Sequence, residues 1–150
     1  FYIESDAERL DIYRRLFRVV TEQELHTMRE ELHDRFGEYP EEVEHLFQLV
    51  ELRLAASFLG FRKVMLKTNT LVIVLPDEPD GQFYGSVNDI DVSFQRIMKS
   101  IANRSLKHVS LKQAGKELQL QFISNNPRRT IERLADAKNN LEQLRLIVNS

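Results

Sequence analysis

Apolar residues recur every three or four positions along residues 1–60, which is the spacing of amphipathic helices. Three helices are predicted there, because each run of apolar positions is bounded by its own signals. The bounding signals are the capping boxes Ser5–Glu8 and Thr21–Glu24, the stop at Gly37, the start at Pro40 and the stop at Gly60. The predicted buried positions are Leu10, Tyr13, Leu16, Phe17 and Val20 in the first helix, Leu25, Met28, Leu32 and Phe36 in the second, and Val43, Leu46, Phe47, Val50, Leu54 and Phe58 in the third.

The apolar pattern changes after residue 60. Two apolar runs flank Thr68–Thr70 and predict a β-hairpin, a polar loop follows from Pro76 to Gly85, and helical spacing returns over residues 90–101. A second hairpin is predicted to turn at Ala114–Gly115, and Asn126–Pro127 to cap a last helix. In the second hairpin Leu118, Leu120 and Phe122 alternate with Glu117, Gln119 and Gln121, so the polar set is predicted to face solvent.

These elements predict an α+β fold: three N-terminal helices followed by two β-hairpin–helix units that form a small, mostly antiparallel sheet with helices packed on it. We expect residues 1–150 to form a single domain with a helical part, 1–60, and a ββαββα part, 61–150. The chain begins Phe-Tyr-Ile without an initiator methionine, so it is expected to be a fragment of a larger protein.

Cysteine is absent, which excludes disulfides and thiolate metal sites in this chain. Apolar runs such as Leu71–Leu75 are far shorter than the ~20 residues that cross a bilayer, and no signal segment opens the chain. We therefore expect no membrane partner and a cytoplasmic location.

Charge is divided unevenly along the chain. Residues 1–60 contain 7 Arg and 14 Asp or Glu, a net −7, whereas residues 61–150 contain 14 Lys or Arg and 9 acids, a net +5. One interpretation is an acidic half docked on a mildly basic half. The alternative is a nucleic-acid-binding accessory module that uses the basic C-terminal half, although its basic residues are scattered and no aromatic residue is interleaved with them.

Candidate catalytic and metal-binding groups are few. His26, Glu30 and His33 share one helix face and include zinc-binding residue types, but a solvated helix flank is the favoured interpretation. The acidic loop at Asp77, Glu78 and Asp80 lacks calcium-ligand spacing, and the Asn-Pro-Arg-Arg at 126–129 is better explained as a helix cap than as a phosphate site. No nucleophile elbow or phosphate loop is present. We expect no catalytic residue, cofactor or metal in this chain.

Glu31, Asp34 and Arg35 form the most distinctive polar group, at the end of the second predicted helix. Glu31 and Arg35 are four residues apart and face each other across one helical turn. Two interpretations remain open from the residues alone. The three form either an ordinary solvated cluster or a polar patch that docks a partner, since arginine offers a bidentate fork to a carboxylate.

Three stretches, "RLDIYRRL", "ELHTMREELHDRFGEYPEEVEHLF" and "RLAASFLGFRKV", resemble the C-terminal domain of bacterial transcription-repair coupling factors, a family of DNA translocases. The resemblance is dense over residues 9–64. Family members have the run E-L-x-D-R-F-G-x-x-P, and its acidic and arginine positions fall on Glu31, Asp34 and Arg35.

The resemblance implies a regulatory function. Such a domain would dock on the N-terminal excinuclease-B-like domain of the same chain and mask the surface that binds the excinuclease A subunit. Glu31, Asp34 and Arg35 would contribute to this interdomain contact. The full-length protein would act on RNA polymerase and DNA, with ATP and magnesium bound by its motor domains and not by this one.

Overall fold

Three helices lead the chain, as the apolar spacing predicted: α1 (Asp6–Arg18), α2 (Glu22–Phe36) and α3 (Glu41–Phe58). The computed structural model describes residues 6–77, 81–86, 91–124 and 129–149, and Ser5 of the first predicted capping box lies outside them. By internal contacts the chain divides into two units, Phe1–Leu54 and Ala55–Ser150. The expectation of a single domain over residues 1–150 stays a prediction.

Local hydrogen bonds mark where α2 begins and ends. The Thr21 hydroxyl accepts from the Glu24 N–H (3.1 Å), which forms the first bond of the predicted capping box. The Glu24 carboxylate accepts from the Val20 N–H (3.1 Å), one residue before the cap. Gly37 takes a φ of 78° and donates its N–H to the His33 carbonyl (2.8 Å). Glycine enters this left-handed region without the steric cost of a Cβ, so the predicted helix stop is confirmed.

The core of the first unit lies among the three helices. Its α2 and α3 members were predicted from helical spacing, and Leu32 and Phe47 are fully buried. Phe36 and Leu54 are partly buried against the same cluster. The buried members are Ile12, Leu16, Val19, Leu25, Met28, Leu32, Val43, Phe47 and Val50.

The predicted buried face of α1 is wrong except at Leu16. Apolar residues occupy two sides of this helix, and only the side that carries Ile12 and Leu16 packs into the core, followed by Val19 just after the helix. The spacing of these three residues, i, i+4 and i+7, defines that side. Large apolar side chains on a neighbouring side of the helix, and one just after it, are exposed, namely Leu10, Tyr13, Phe17 and Val20.

Phe58 is a second correction, since its side chain is 87% exposed where burial was predicted. The chain turns directly afterwards at Gly60, which has a φ of 89°. Because of this reversal the neighbouring apolar residues Leu59 and Phe61 are buried instead.

The second unit contains a four-stranded antiparallel sheet with the strand order β1-β2-β4-β3. The strands are β1 (Lys63–Leu66), β2 (Thr70–Val74), β3 (Val109–Ala114) and β4 (Glu117–Ile123). β1 pairs with β2 and β3 with β4, as the two predicted hairpins require, and β2 pairs with β4 through registers such as Ile73↔Leu120. With helices α5 (Ser93–Ala102) and α6 (Thr130–Val148), the predicted α+β fold is confirmed.

A short helix, α4 (Gly81–Tyr84), occupies part of the segment predicted to be a polar loop. Phe83 is buried there and contacts the rings of Phe61 and Phe94, with ring centroids 6.1 Å and 6.2 Å apart. These partners are distant in sequence, so a local reading of a polar stretch did not reveal them.

Gln119 is buried at 7% exposure, although its place in the alternation predicted a solvent-facing side chain. The register pairs it with Val74 of β2, which is fully buried, and paired residues lie on the same face of the sheet, so that face is covered at this position. Its amide is satisfied on the sheet surface: Gln119 Nε2 donates to Glu117 Oε1 (3.2 Å), and Gln121 Nε2 donates to Gln119 Oε1 (3.0 Å).

Candidate functional site

The polar cluster predicted at the end of α2 is divided between an inward and an outward part. Glu31 carries the inward part. Its carboxylate accepts a hydrogen bond from Arg15 Nη1 of α1 (3.0 Å) and a second, short one from Arg15 Nη2, which makes a bidentate pair between two helices. The hydrogen bonds from Arg15 hold the pKa of Glu31 below its ordinary value of 4.5, although partial burial opposes this.

Arg35 and Asp34 form the outward part. Arg35 Nη1 lies 3.9 Å from Glu31 Oε1, at the limit of an ion pair, and its side chain is 50% exposed. The Arg35 guanidinium lies over the ring of Phe36, 4.9 Å from the ring centroid. Asp34 is exposed, and among the described residues it has no hydrogen-bonding or ion-pair partner. The structure therefore places all three residues at the end of α2, but only Glu31 has a strong internal partner.

A second arginine holds α2 against α3 and was not found from the sequence. Arg29 donates to both carboxylate oxygens of Glu44 (2.9 Å each) and to Glu51, and its guanidinium lies 4.7 Å from the centroid of the Phe47 ring. Burial lowers the pKa of Arg29, but its hydrogen bonds to Glu44 and the charges of Glu44 and Glu51 outweigh this effect and raise the pKa overall. Its partners are 15 and 22 residues away, so helical spacing gives no signal for them.

Arg53 of α3 performs a similar task at the end of α1. It donates to the backbone carbonyls of Leu16 (3.2 Å) and Phe17 (2.9 Å) and to that of Val19. Carbonyls at a helix terminus have no partner within the helix; the Leu16 carbonyl also accepts from the Val19 N–H (3.3 Å). Together Arg15, Arg29 and Arg53 fix the three helices, so the outward charges on α2 stand on a rigid support.

Of the remaining described candidates, His26 and Asp77 make ordinary pairs, and His33 is exposed. His26 Nε2 lies 2.9 Å from Glu30 Oε1 with both side chains about two-thirds exposed, and Asp77 accepts from Arg62 (3.0 Å). Glu78, Asp80 and residues 126–128 lie outside the described residues. Within the described ranges no group of three or more His, Cys, Asp or Glu could hold a metal, and no helix is long and apolar enough for a bilayer.

Fold and site together define a small α+β domain whose most distinctive surface is a group of charges at a helix end. The chain belongs to the TRCF domain family, whose sequence model matches residues 1–86. The resemblance to the C-terminal domain of bacterial transcription-repair coupling factor is thereby confirmed.

Curated relatives with this name are much longer than the chain. The transcription-repair-coupling factor of Staphylococcus epidermidis is 38% identical over 74 residues, which are 49% of this chain and 6% of the relative. That of Bacillus subtilis is 25% identical over 121 residues, 81% of this chain and 9% of the relative. The chain thus spans less than a tenth of either protein.

One solved structure, described as the crystal structure of the C-terminal domain of transcription-repair coupling factor, has the same fold. It superposes with a TM-score of 0.62 at 22% identity, covering 95% of this chain and 84% of that one. At this identity the match supports the fold and not the details of the site.

Proposed function

We propose that this chain is a non-catalytic, autoinhibitory domain of an ATP-dependent DNA translocase that couples transcription to nucleotide-excision repair. In this proposal the domain docks on the N-terminal excinuclease-B-like domain of the same protein and masks its excinuclease-A-binding surface. ATP and magnesium would serve the motor domains of the parent protein, which acts on RNA polymerase and DNA in the cytoplasm. Family membership supports this setting.

The proposal rests on a difference among the three charged residues on α2: only one of them has a strong hydrogen-bonding partner within the described part of the domain. Glu31 is held by Arg15, whereas Arg35 is half exposed and Asp34 has no partner among the described residues. An adjacent acid and base on a rigid helix end can pair with a complementary acid and base on another surface. Such a pairing costs little reorganisation, because the supporting helix is already fixed.

A contact of this kind suits a reversible latch. Interfaces between domains of one chain are typically polar and bury about 600–1,500 Å². Truncating one partner of a desolvated, hydrogen-bonded charge pair typically costs ~2–5 kcal/mol of association. A change of that size moves a two-state equilibrium from mostly closed to substantially open.

The test is Arg35→Ala in the full-length parent protein. We expect a higher basal ATPase rate and stronger binding of the excinuclease A subunit, because the closed state loses a desolvated ion pair. Asp34→Ala should act in the same direction. In the isolated domain the Arg35→Ala change should alter the free energy of unfolding by less than ~0.5 kcal/mol, since the side chain is half exposed.

Arg18→Ala is the matched control, because Arg18 is also an exposed arginine in the last turn of a helix. It should leave ATPase and recruitment at the level of the unmodified protein. If Arg35→Ala and Asp34→Ala also leave both activities unchanged, the docking surface lies elsewhere.

A further inference from the structure

A cleft of about 370 Å³ opens in the second unit, at the end of the sheet where the β1–β2 turn meets α6. Lys67 reaches it from the β1–β2 turn, Lys107 from the segment before β3, and Arg133 from α6. Its volume is within the range of small-molecule sites, which are typically about 300–1,000 Å³. Nothing in the proposed docking function uses this part of the chain.

Among the described residues, the three cations of the cleft have no acidic partner. Neither Lys67 nor Lys107 forms an ion pair with a described residue, and Asp136 is the one acid among the described lining residues. Arg133 donates to the Lys67 carbonyl (3.3 Å) and to the Thr130 hydroxyl (3.1 Å) instead of to a carboxylate. Its Nε is buried and has no acceptor within the part of the chain that the structure describes.

Four other described arginines of this unit are arranged differently, although Arg104 is not among them. Arg62, Arg96, Arg129 and Arg145 each lie within 3.2 Å of a carboxylate oxygen. Concentrating three positive charges around one acid makes the electrostatic potential of the cleft positive, although solvent screens the exposed Lys67 and Lys107 more than the half-buried Arg133. An anionic ligand would relieve this repulsion.

The segments that form the cleft are pinned by backbone hydrogen bonds. The Ser124 N–H donates to the Asn69 carbonyl (2.8 Å), the Lys67 N–H to the Thr70 carbonyl (2.8 Å), and the Ile123 N–H to the His108 carbonyl (2.9 Å). The positions from which the cations project are therefore set before any ligand arrives. A preformed site avoids the cost of ordering loops on binding.

We propose that this cleft binds a small molecule with one or two phosphate groups. A phosphate presents three or more acceptor oxygens, so it can be bound from several elements at once, whereas a carboxylate presents two. Polar groups such as Asn139, Asn140 and Thr68 supply further donors around the cations. Phe122 in the lining is only 5% exposed, which leaves His108 as the exposed ring of the described lining, and one ring is too few for the successive bases of a nucleic-acid strand.

The test titrates the 150-residue chain with pyrophosphate and with adenosine monophosphate in a chloride buffer. Binding is measured from the changes in amide chemical shifts. We expect saturable shifts at Lys67, Lys107 and Arg133. The double variant Lys67→Gln/Lys107→Gln should weaken binding by about tenfold or more, as expected when charge-assisted hydrogen bonds are lost. Asn139→Asp, at an exposed lining position, should also weaken binding by adding a negative charge.

The double variant Lys112→Gln/Lys116→Gln is the matched control, because it removes the same charge from exposed lysines that do not line the cleft. It should change the affinity by less than about twofold, since distant exposed charges are screened by salt. An equal loss of affinity in both double variants would show that the lysines act through non-specific electrostatic attraction, and this would overturn the proposal.

Two further probes separate other ligands from the proposed one. Citrate should bind more weakly than pyrophosphate, and citrate binding of equal strength would refute a phosphate site. A 5′-phosphorylated oligonucleotide should bind no more tightly than adenosine monophosphate. Tighter, steeply salt-dependent binding that both double variants weaken would instead indicate a nucleic-acid surface. The proposal is also overturned if neither pyrophosphate nor adenosine monophosphate changes the amide chemical shifts.

Discussion

Glu31 has two roles: it supports the packing of α1 on α2, and it belongs to the proposed docking surface. Its carboxylate is committed to Arg15, so a change at Glu31 affects the packing of α1 on α2 as well as any docked partner. Asp34 and Arg35 lack this double role. Variants of those two residues are therefore the cleaner tests of docking.

Acid should remove the contribution of Glu31 to stability. The pKa of Glu31 is lowered in the folded chain, so its ionised carboxylate stabilises the fold at pH values above the ordinary pKa of 4.5. This stabilisation is lost as the pH falls through the lowered pKa. We expect Glu31→Gln to cost about 0.5–1 kcal/mol near neutral pH, since the side chain is partly screened by solvent. The difference from the unmodified chain should shrink below about pH 4.5.

Urea unfolding at a series of pH values measures this difference directly. Glu38→Gln serves as the control, because Glu38 is exposed and pairs with no described residue. A Glu31→Gln cost that stays constant down to strongly acidic pH would show that the bond to Arg15 contributes nothing through its charge.

At the scale of elements, the sequence predicted what local signals specify and missed what distant partners decide. The ends of α2 follow from Thr21 and Gly37, and the hairpins follow from runs of apolar residues beside turn signals. The docking interpretation of the α2 charges came from family resemblance and stays a proposal. Long-range partners explain the misses: which side of α1 is buried, why Gln119 is covered, and where Arg29 finds its acids.

Helix α1 offers a matched test of which side is buried. Leu16 is 3% exposed and Leu10 is 52% exposed, so the same substitution samples both sides of one helix. We expect Leu16→Ala to cost ~2–5 kcal/mol through lost apolar contact and the cavity left behind. Leu10→Ala should stay within ~0.5 kcal/mol of the unmodified chain.

Thermal or urea unfolding of the two variants measures these costs. Helix propensity does not contribute to them, because alanine has a helix propensity at least as favourable as leucine at either position. Equal costs at both positions would mean that the side of α1 carrying Leu10 is also buried in the folded chain.

For the whole molecule, the open question of one domain or two has an observable answer. Helix α3 runs without interruption from Glu41 to Phe58, across the boundary between the units at Leu54 and Ala55. Helix formation is cooperative, so we expect both units to unfold in one transition. Nuclear magnetic resonance signals of Leu32 and Leu120, each fully buried in its own unit, should disappear at the same urea concentration.

Two separate midpoints would contradict this expectation and divide the chain into independently folding parts. In that case Leu16→Ala should lower only the midpoint reported by Leu32. In the cooperative case it should lower both midpoints together.

The stop after α2 has a consequence for molecular handedness. Gly37 has a φ of 78° and a ψ of −156°, close to the mirror image of the extended conformation that left-handed polyproline chains adopt. A Cβ of ordinary chirality there would meet no atom within 4 Å, so backbone geometry and not crowding excludes L-alanine. A D-amino acid finds the same backbone geometry relaxed. On backbone geometry, we therefore expect chemically introduced D-alanine at position 37 to favour the observed end of α2 beside Asp34 and Arg35, and L-alanine to disfavour it.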